Sequence, residues 1–235
     1  MKSRLCRHLQ LPFIFDETEL LEDLKIAEKF RWKNHFNENG YHGDWVVISL
    51  LSVSGNSEDI QAYDQSNAEA QDTDLLNLCP YFKQVIDTFE CKKLNARLMK
   101  LEPGAYIKPH TDFDLGYEDG NFRIHIPIET NDQVSFVLDG DHLMMLPGEC
   151  WYTNVNFEHS VRNDGLASRV HLVMDLERNK WSDNLFFSRA PKQNFMKPET
   201  KHDDHTTRSI IENLKMMDED GNKDLIAELQ SQLNE

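Results

Sequence analysis

Between Leu94 and Leu176 the sequence breaks into short apolar or alternating runs, at 94–101, 105–110, 122–129, 133–138, 142–146, 149–153, 157–162 and 168–176. Turn-forming clusters such as Glu102-Pro103-Gly104, Pro147-Gly148 and Asn163-Asp164-Gly165 separate them. No helical pattern intervenes between these runs. Short strands at this spacing imply an antiparallel sandwich or barrel.

The flanks read differently. Asp16 is a candidate N-cap, and Leu20, Leu21, Leu24, Ala27 and Phe30 recur at helical spacing, predicting an amphipathic helix over 17–32 that covers one face of a sheet. Residues 37–43 are turn-rich and 45–53 form an apolar, β-branched strand. Residues 54–73 are polar and predict a long solvated loop. Helical spacing returns over 74–89, interrupted by Pro80, which should kink or divide it. Beyond Glu177 the chain turns polar. Residues 192–207 read as a linker, and two helical stretches follow over 210–233, docking on the barrel or on a second subunit as in a homodimer. The expected organisation is a barrel domain over 1–190 with N-terminal helical support, then a linker and helical extension over 191–235.

A formal net charge of −16 argues against nucleic acid or an anionic membrane as partner, since phosphates attract Lys/Arg-rich surfaces. No run approaches the length of a membrane span. The apolar stretch from Leu9 to Phe15 is short and holds Gln10 and Pro12, so it does not read as a signal peptide. Cys6, Cys79, Cys91 and Cys150 lack metal-site or redox spacing, which predicts reduced thiols and a cytoplasmic protein.

Chemistry concentrates at Pro109-His110-Thr111-Asp112. On a strand, His110 and Asp112 point to one face. His159 is a candidate third ligand; two neutral imidazoles and one carboxylate form the facial set of non-haem Fe(II) oxygenases, with the opposite coordination positions open. If Asn163-Asp164-Gly165 is a three-residue hairpin loop, Arg162 faces Leu166 and His159 lies directly opposite Arg169. A two-residue loop would turn Arg169 away. An arginine pointing into an apolar interior needs an anion, and its planar fork suits a carboxylate.

These residues resemble the Fe(II)/2-oxoglutarate-dependent dioxygenases, and within them the aspartyl/asparaginyl/prolyl β-hydroxylase family. The matching pieces run in order: Leu101-Glu102-Pro103-Gly104, Pro109-His110-Thr111-Asp112, Arg123-Ile124-His125, Pro147-Gly148-Glu149, His159, and Arg169-Val170-His171. The resemblance extends from about Trp45 to about Glu177. It implies a mainly β fold, the double-stranded β-helix or jelly roll. It also implies iron held by His110, Asp112 and His159, with 2-oxoglutarate chelating that iron and reaching Arg169 through its far carboxylate. Oxygen completes the reactant set; succinate and CO₂ leave as an amino acid or peptide C–H bond is hydroxylated. The resemblance further suggests that Arg123 and His125 contact a carboxylate of cosubstrate or substrate and that Trp45 lies beside one of them; the plain alternatives are a structural hydrogen-bond pair for Arg123 and His125 and core packing for Trp45. His171 shares a face with Arg169 and reads as a neighbour that supports the site. Some aspartyl/asparaginyl members lack the acidic ligand; Asp112 is present here, as in members acting on free proline, which favours an amino-acid-like substrate. Met99 stands where mammalian-type members carry Ser.

Other clusters carry less. Residues 113–120 read as an acidic loop at the mouth of the site. Asp218, Asp220, Asn222 and Asp224 alternate like a calcium loop, but Lys223 and Leu229 stand where that loop needs Gly and Glu. His202-Asp203-Asp204-His205 lies in the linker, and His8, His35, His42 and His142 read as surface or capping residues. Two competing functions remain open from sequence: a cupin-type metalloenzyme, which gives Arg169 no task, and a non-catalytic ligand-binding barrel.

Overall fold

A computed structural model describes residues 5–61, 69–197, 204–218 and 221–233. The chain divides into two compact units, Met1–Met196 and Lys197–Glu235. The first holds β1 (His8–Ile14), α1 (Glu17–Ala27), β2 (Lys33–Asn34), β3 (Tyr41–His42), β4 (Trp45–Ser52), β5 (Gln71–Asp72), α2 (Pro80–Asp87), β6 (Lys93–Leu101), β7 (Tyr106–His110), β8 (Asn121–Glu129), β9 (Val134–Leu138), β10 (Asp141–Leu143), β11 (Glu149–Thr153), β12 (His159–Asn163), β13 (Arg169–Glu177) and α3 (Lys180–Phe187).

The strands form two antiparallel sheets. The larger runs β1-β11-β8-β13-β6-β4-β2, with β5 pairing to β4, and the smaller runs β10-β9-β12-β7-β3. Except at the β9–β10 hairpin, the chain changes sheet at every step from β6 to β13. That alternation is the double-stranded β-helix, and it leaves one end open between the sheets.

Alternation of side chains assigns each strand two environments. On β13, Val170, Leu172, Met174 and Leu176 join the outer core beneath the helices. Val173 points inward with Val47, Met99, Leu101, Ile107, Phe136 and Val161, which fill the space between the sheets. On β8 the isoleucines 124, 126 and 128 are outward, leaving Arg123 and His125 facing in.

The helices cover the outer face. Asp16 caps α1, accepting from the backbone N–H of Thr18 at 2.9 Å and of Glu19 at 3.1 Å. The helix ends at Ala27, earlier than its apolar spacing predicts; the Ala27 carbonyl accepts the Phe30 N–H at 3.0 Å and the Trp32 indole N–H at 3.1 Å. Pro80 divides the second helical stretch as expected: a 3₁₀ turn occupies Leu76–Leu78, and α2 starts with the proline in its first turn. Buried Asp23 of α1 accepts the Phe82 N–H at 2.7 Å and so caps α2.

Besides the two-residue strands β2, β3 and β5, two longer elements escaped the sequence reading. Strand β1 occupies the stretch weighed only as a leader, and its register against β11 shifts between Leu11 and Ile14, around Pro12, which has no N–H to pair. Helix α3 begins in a capping box formed by Asn179 and Ser182. The polar loop expected over 54–73 holds no helix or strand over 54–61, but it ends early: Gln71–Asp72 pair with Leu51 and Ser52 as β5, and Thr73 is buried; residues 62–68 lie outside the described residues.

The second unit contains α4 (Asp204–Asp218) and α5 (Lys223–Gln232). They pack through Ile211, Ile226 and Leu229. His202, Asp203 and Asp220, singled out in the sequence, lie outside the described residues. All four cysteines are free thiols, and no helix among the described residues is long and apolar enough to cross a membrane.

Candidate metal centre and cosubstrate cavity

Strand pairing creates the first two contacts of the site. On β7 and β12, His110 and His159 are direct cross-strand partners, with ring centroids 4.2 Å apart. The register shifts between His159 and Val161, opposite Pro109, which cannot donate to the ladder. Strand β7 ends at His110, so Asp112 stands in the bend beyond it. There the Asp112 N–H bonds to the Val155 carbonyl at 2.9 Å. One ligating atom from each of His110, Asp112 and His159 can be chosen so that all lie within 4.8 Å of one another.

The local backbone sets the tautomers. His110 Nδ1 lies 2.8 Å from the Lys108 carbonyl, and His159 Nδ1 lies 3.1 Å from the Phe157 carbonyl. A carbonyl only accepts, so each Nδ1 carries the proton and each Nε2 keeps its lone pair for the site. Burial and the nearby His110 pull His159 down to about 4, so it is neutral at physiological pH. Burial opposes ionisation of Asp112, but Arg123, His159 and His110 outweigh it and hold its carboxyl below the usual range. Two imidazoles turning Nε2 to the site and a carboxylate held in its ionised form fit a divalent transition metal.

These residues line a cavity of about 490 Å³ between the sheets. Arg169 lines it too, by a route the sequence reading had wrong. Strand β12 pairs with β7 and β9, and β13 pairs with β6 and β8, so His159 and Arg169 are not cross-strand partners. The chain does not fold back at Asn163; it crosses between sheets. Buried Asn163 is tied to the β6–β7 corner, donating to the Leu101 carbonyl at 3.0 Å and accepting the Gly104 N–H at 2.7 Å. Arg169 therefore meets the cavity from the opposite wall.

That wall carries two polar groups, with Val173 between them on β13. One comprises Arg169, His171 and His125. Arg169 Nη2 lies 2.9 Å from His171 Nδ1, and its guanidinium carbon lies 5.8 Å from the Phe136 ring centroid. Its Nε, both His125 nitrogens and the Trp45 indole N–H are buried without a hydrogen-bond partner among the described residues. Burial, with no carboxylate among those residues to offset it, pulls Arg169 down to about 9. Burial and Arg169 together drive His125 and His171 well below the ordinary imidazole range. Native interiors rarely leave so many polar atoms unmet; this end of the cavity fits an anion with further acceptor atoms.

The second group comprises Asn95, Arg97, Asp175 and Arg123, bonded to one another. Arg123, read from sequence either as a contact to a cofactor or substrate carboxylate or as a structural hydrogen-bonding residue, bonds to Asp112 and Asp175. Sequence reasoning missed Arg97 and Asp175, although both fall on inward positions of strands already recognised. It also missed His35, which is buried and stacks on Trp45 at 3.6 Å between centroids and 12° between planes. Burial, then Arg97, pulls His35 down to about 3. At the mouth Phe36 and Phe113 expose 67% and 83% of their surface, an apolar rim around a polar interior.

Two imidazoles and a carboxylate converging at the open end of a jelly roll, with a buried arginine across the cavity, define the class, a β-barrel with a candidate metal centre. Within that class, the model of the aspartyl/asparaginyl β-hydroxylase family matches residues 11–179, and the chain belongs to this family. The L-proline cis-4-hydroxylase of Rhizobium meliloti (strain 1021) is 27% identical over 73% of this chain and 61% of its own length. L-proline cis-3-hydroxylase 1 of a Streptomyces species is 29% identical over 75% of this chain and 60% of its own. The chain thus spans about three fifths of the length of the curated relatives it matches. A solved oxidoreductase of the 2OG-Fe(II) oxygenase family from Burkholderia pseudomallei aligns with a TM-score of 0.49 and 17% identity, over 73% of this chain and 86% of that one.

Proposed function

We propose that the protein is an Fe(II)/2-oxoglutarate-dependent dioxygenase that hydroxylates an amino acid or amino-acid-like substrate, whether free, carrier-tethered or peptidyl. The observation that carries the proposal is the facing of the His110–Asp112–His159 cluster across the same cavity by Arg169, a buried cation without a counter-charge among the described residues. The proline hydroxylases among its relatives support an amino-acid substrate.

In this reading His110, Asp112 and His159 hold the iron. Iron with bound 2-oxoglutarate and O₂ supplies the oxidising chemistry, yielding succinate and CO₂ as co-products. The chain's own residues supply orientation. Arg169 receives the far carboxylate of the cosubstrate, and His125 and Trp45 offer it further polar contacts. His171 braces the Arg169 guanidinium. The apolar walls around Phe136, Val161 and Met99 keep water from the reacting centre.

Anaerobic visible absorption tests this directly. Adding Fe(II) and then 2-oxoglutarate to metal-free protein should produce a metal-to-keto-acid charge-transfer band, lost in His110→Ala. In Arg169→Ala, 2-oxoglutarate affinity should fall by the worth of a charge-assisted contact, ~1.5–3 kcal/mol. Iron uptake with no band would refute 2-oxoglutarate as cosubstrate, and unchanged affinity in Arg169→Ala would refute that residue's role.

A further inference from the structure

The polar group deeper on β6, β8 and β13 has no task in the proposed reaction, yet it touches the metal centre at one point. Asp175 sits opposite Arg123 on β8 and opposite Asn95 on β6, so three neighbouring strands bring their side chains together. Arg123 Nε donates to Asp175 Oδ1 at 2.7 Å, and its Nη2 donates to Asp175 Oδ2 at 3.0 Å. Its remaining nitrogen, Nη1, donates to Asp112 Oδ2 at 2.5 Å. Behind this fork, Asp175 Oδ2 also accepts from Asn95 Nδ2 at 2.8 Å and from Arg97 Nη2 at 3.3 Å, while Arg97 Nε donates to Asn95 Oδ1 at 3.2 Å. Asp175, Arg97 and Arg123 are all buried.

We infer that Arg123 is a positioning residue for Asp112: clamped by Asp175, it holds one carboxylate oxygen so that the other is presented to the metal. The inference rests on the reading of His110, Asp112 and His159 as metal ligands.

Three features support it. The first is geometry. Oδ2 of Asp112 is taken by Arg123, and Oδ1 lies on the side of His110 Nε2, 3.8 Å away. A carboxylate standing past the end of its strand has two free torsions; a bond to one oxygen removes that freedom. The second is rigidity. A guanidinium gripped in bidentate fashion by a buried carboxylate cannot follow a wandering partner, and the direct strand pairing of Asp175 with Arg123 fixes the grip. The third is charge. Two arginines and two aspartates (Arg97, Arg123, Asp112, Asp175) cancel. The cluster carries its own counter-charges, so Asp112 is held by a partner whose charge Asp175 already shares.

Arg123 meets three oxygens on two carboxylates through three separate nitrogens of one plane, a geometry the single nitrogen of lysine does not reproduce. The test measures Co(II) affinity by calorimetry and the Co(II) visible spectrum at saturating metal, in wild type, Arg123→Lys, Arg123→Met and Asp175→Asn. Thermal melting of each metal-free protein checks that it is folded. Loss of groups that orient metal ligands weakens binding about 10–100-fold. That loss is expected in both Arg123 variants, with a smaller loss in Asp175→Asn and an altered spectrum wherever Asp112 is released. Arg123→Lys retains the charge and is the variant to rely on if Arg123→Met does not fold. Affinities and spectra matching wild type in folded variants would overturn the inference. So would tighter binding in Arg123→Met with Arg123→Lys unchanged, which would make Arg123 a charge and not an orienting group. Wild-type protein that takes up no Co(II) would remove the metal reading itself, and this role with it.

Discussion

Replacing Arg169 by methionine should stabilise the protein in the absence of ligands, the reverse of what altering a buried side chain usually does. Arg169 is 2% exposed, and burial holds its guanidinium down to about 9, against an ordinary range above ~12. That depression corresponds to roughly 4–5 kcal/mol of desolvation. The contact to His171 returns about 1.5–3 kcal/mol as a charge-assisted bond. The net cost of keeping the cation is then about 2 kcal/mol, which a methionine of similar length would relieve. For a chain of this size that is a rise in melting temperature of roughly 4–8 °C. Wild type should recover its deficit only when an anion arrives. With 2-oxoglutarate and a redox-inert divalent metal at a hundred times Kd, it should gain ~2.7 kcal/mol. Arg169→Met should lose most of the gain that 2-oxoglutarate adds over metal alone. Scanning calorimetry of both proteins, with metal alone and with metal plus 2-oxoglutarate, measures all of this. A melting temperature lowered in Arg169→Met, or a full 2-oxoglutarate-dependent shift surviving in it, would refute the idea that the cavity stores an unmatched charge.

Three other outcomes follow from the packing. Asp23→Ala leaves the buried Phe82 N–H without its acceptor and should cost about 1–3 kcal/mol in urea denaturation, with metal affinity unchanged. Acid should weaken the metal-free protein from near pH 6.5 downward, well before carboxylates titrate. His35, His125 and His171 have folded pKa values below their unfolded values, so the unfolded chain binds more protons in that window, and stability falls as pH falls. His35, held at about 3, should alone account for roughly 1–2 kcal/mol lost by pH 5, and His35→Gln should flatten the fall; a urea midpoint constant from pH 7 to 5 would contradict this. Asp175, held at about 2 by Arg123 against the cost of its burial, withdraws its own contribution only below about pH 3.9, so a second, steeper loss should appear there.

Most of the barrel was legible because its strands alternate cleanly. Runs such as Arg169-Val170-His171-Leu172-Val173-Met174-Asp175 announce both the strand and which side chains face inward. The metal cluster was legible because His110 and Asp112 are neighbours in sequence. The pairing of His110 with His159 was not, since it depends on which of two sheets each strand joins, and that choice is made by packing. The same blindness produced the hairpin at Asn163. The Asn-Asp-Gly signal is local, whereas the bond from buried Asn163 to the Leu101 carbonyl is tertiary and decides the outcome. His35 could not be found from its surroundings in sequence, because Trp45 lies across a strand pair from it. Strand β1 shows alternation at Leu9, Leu11 and Phe13, and Pro12 marks it as an edge, so that signal was present.

The crossing between β12 and β13 makes the cavity a yardstick. The candidate metal position hangs from the smaller sheet and Arg169 from the larger, so the span a ligand must bridge is set by how thickly the two sheets pack, ordinarily ~10 Å. Residues 164–168 connect those walls without setting their separation. Insertions in that turn should therefore leave ligand preference intact, whereas changing the bulk of Phe136, Val161 or Met99 between the sheets should alter it. A keto diacid one carbon shorter than 2-oxoglutarate would leave Arg169 unmet, and one carbon longer would have to buckle. Selection by chain length would then belong to the core of the barrel and not to any loop at its mouth.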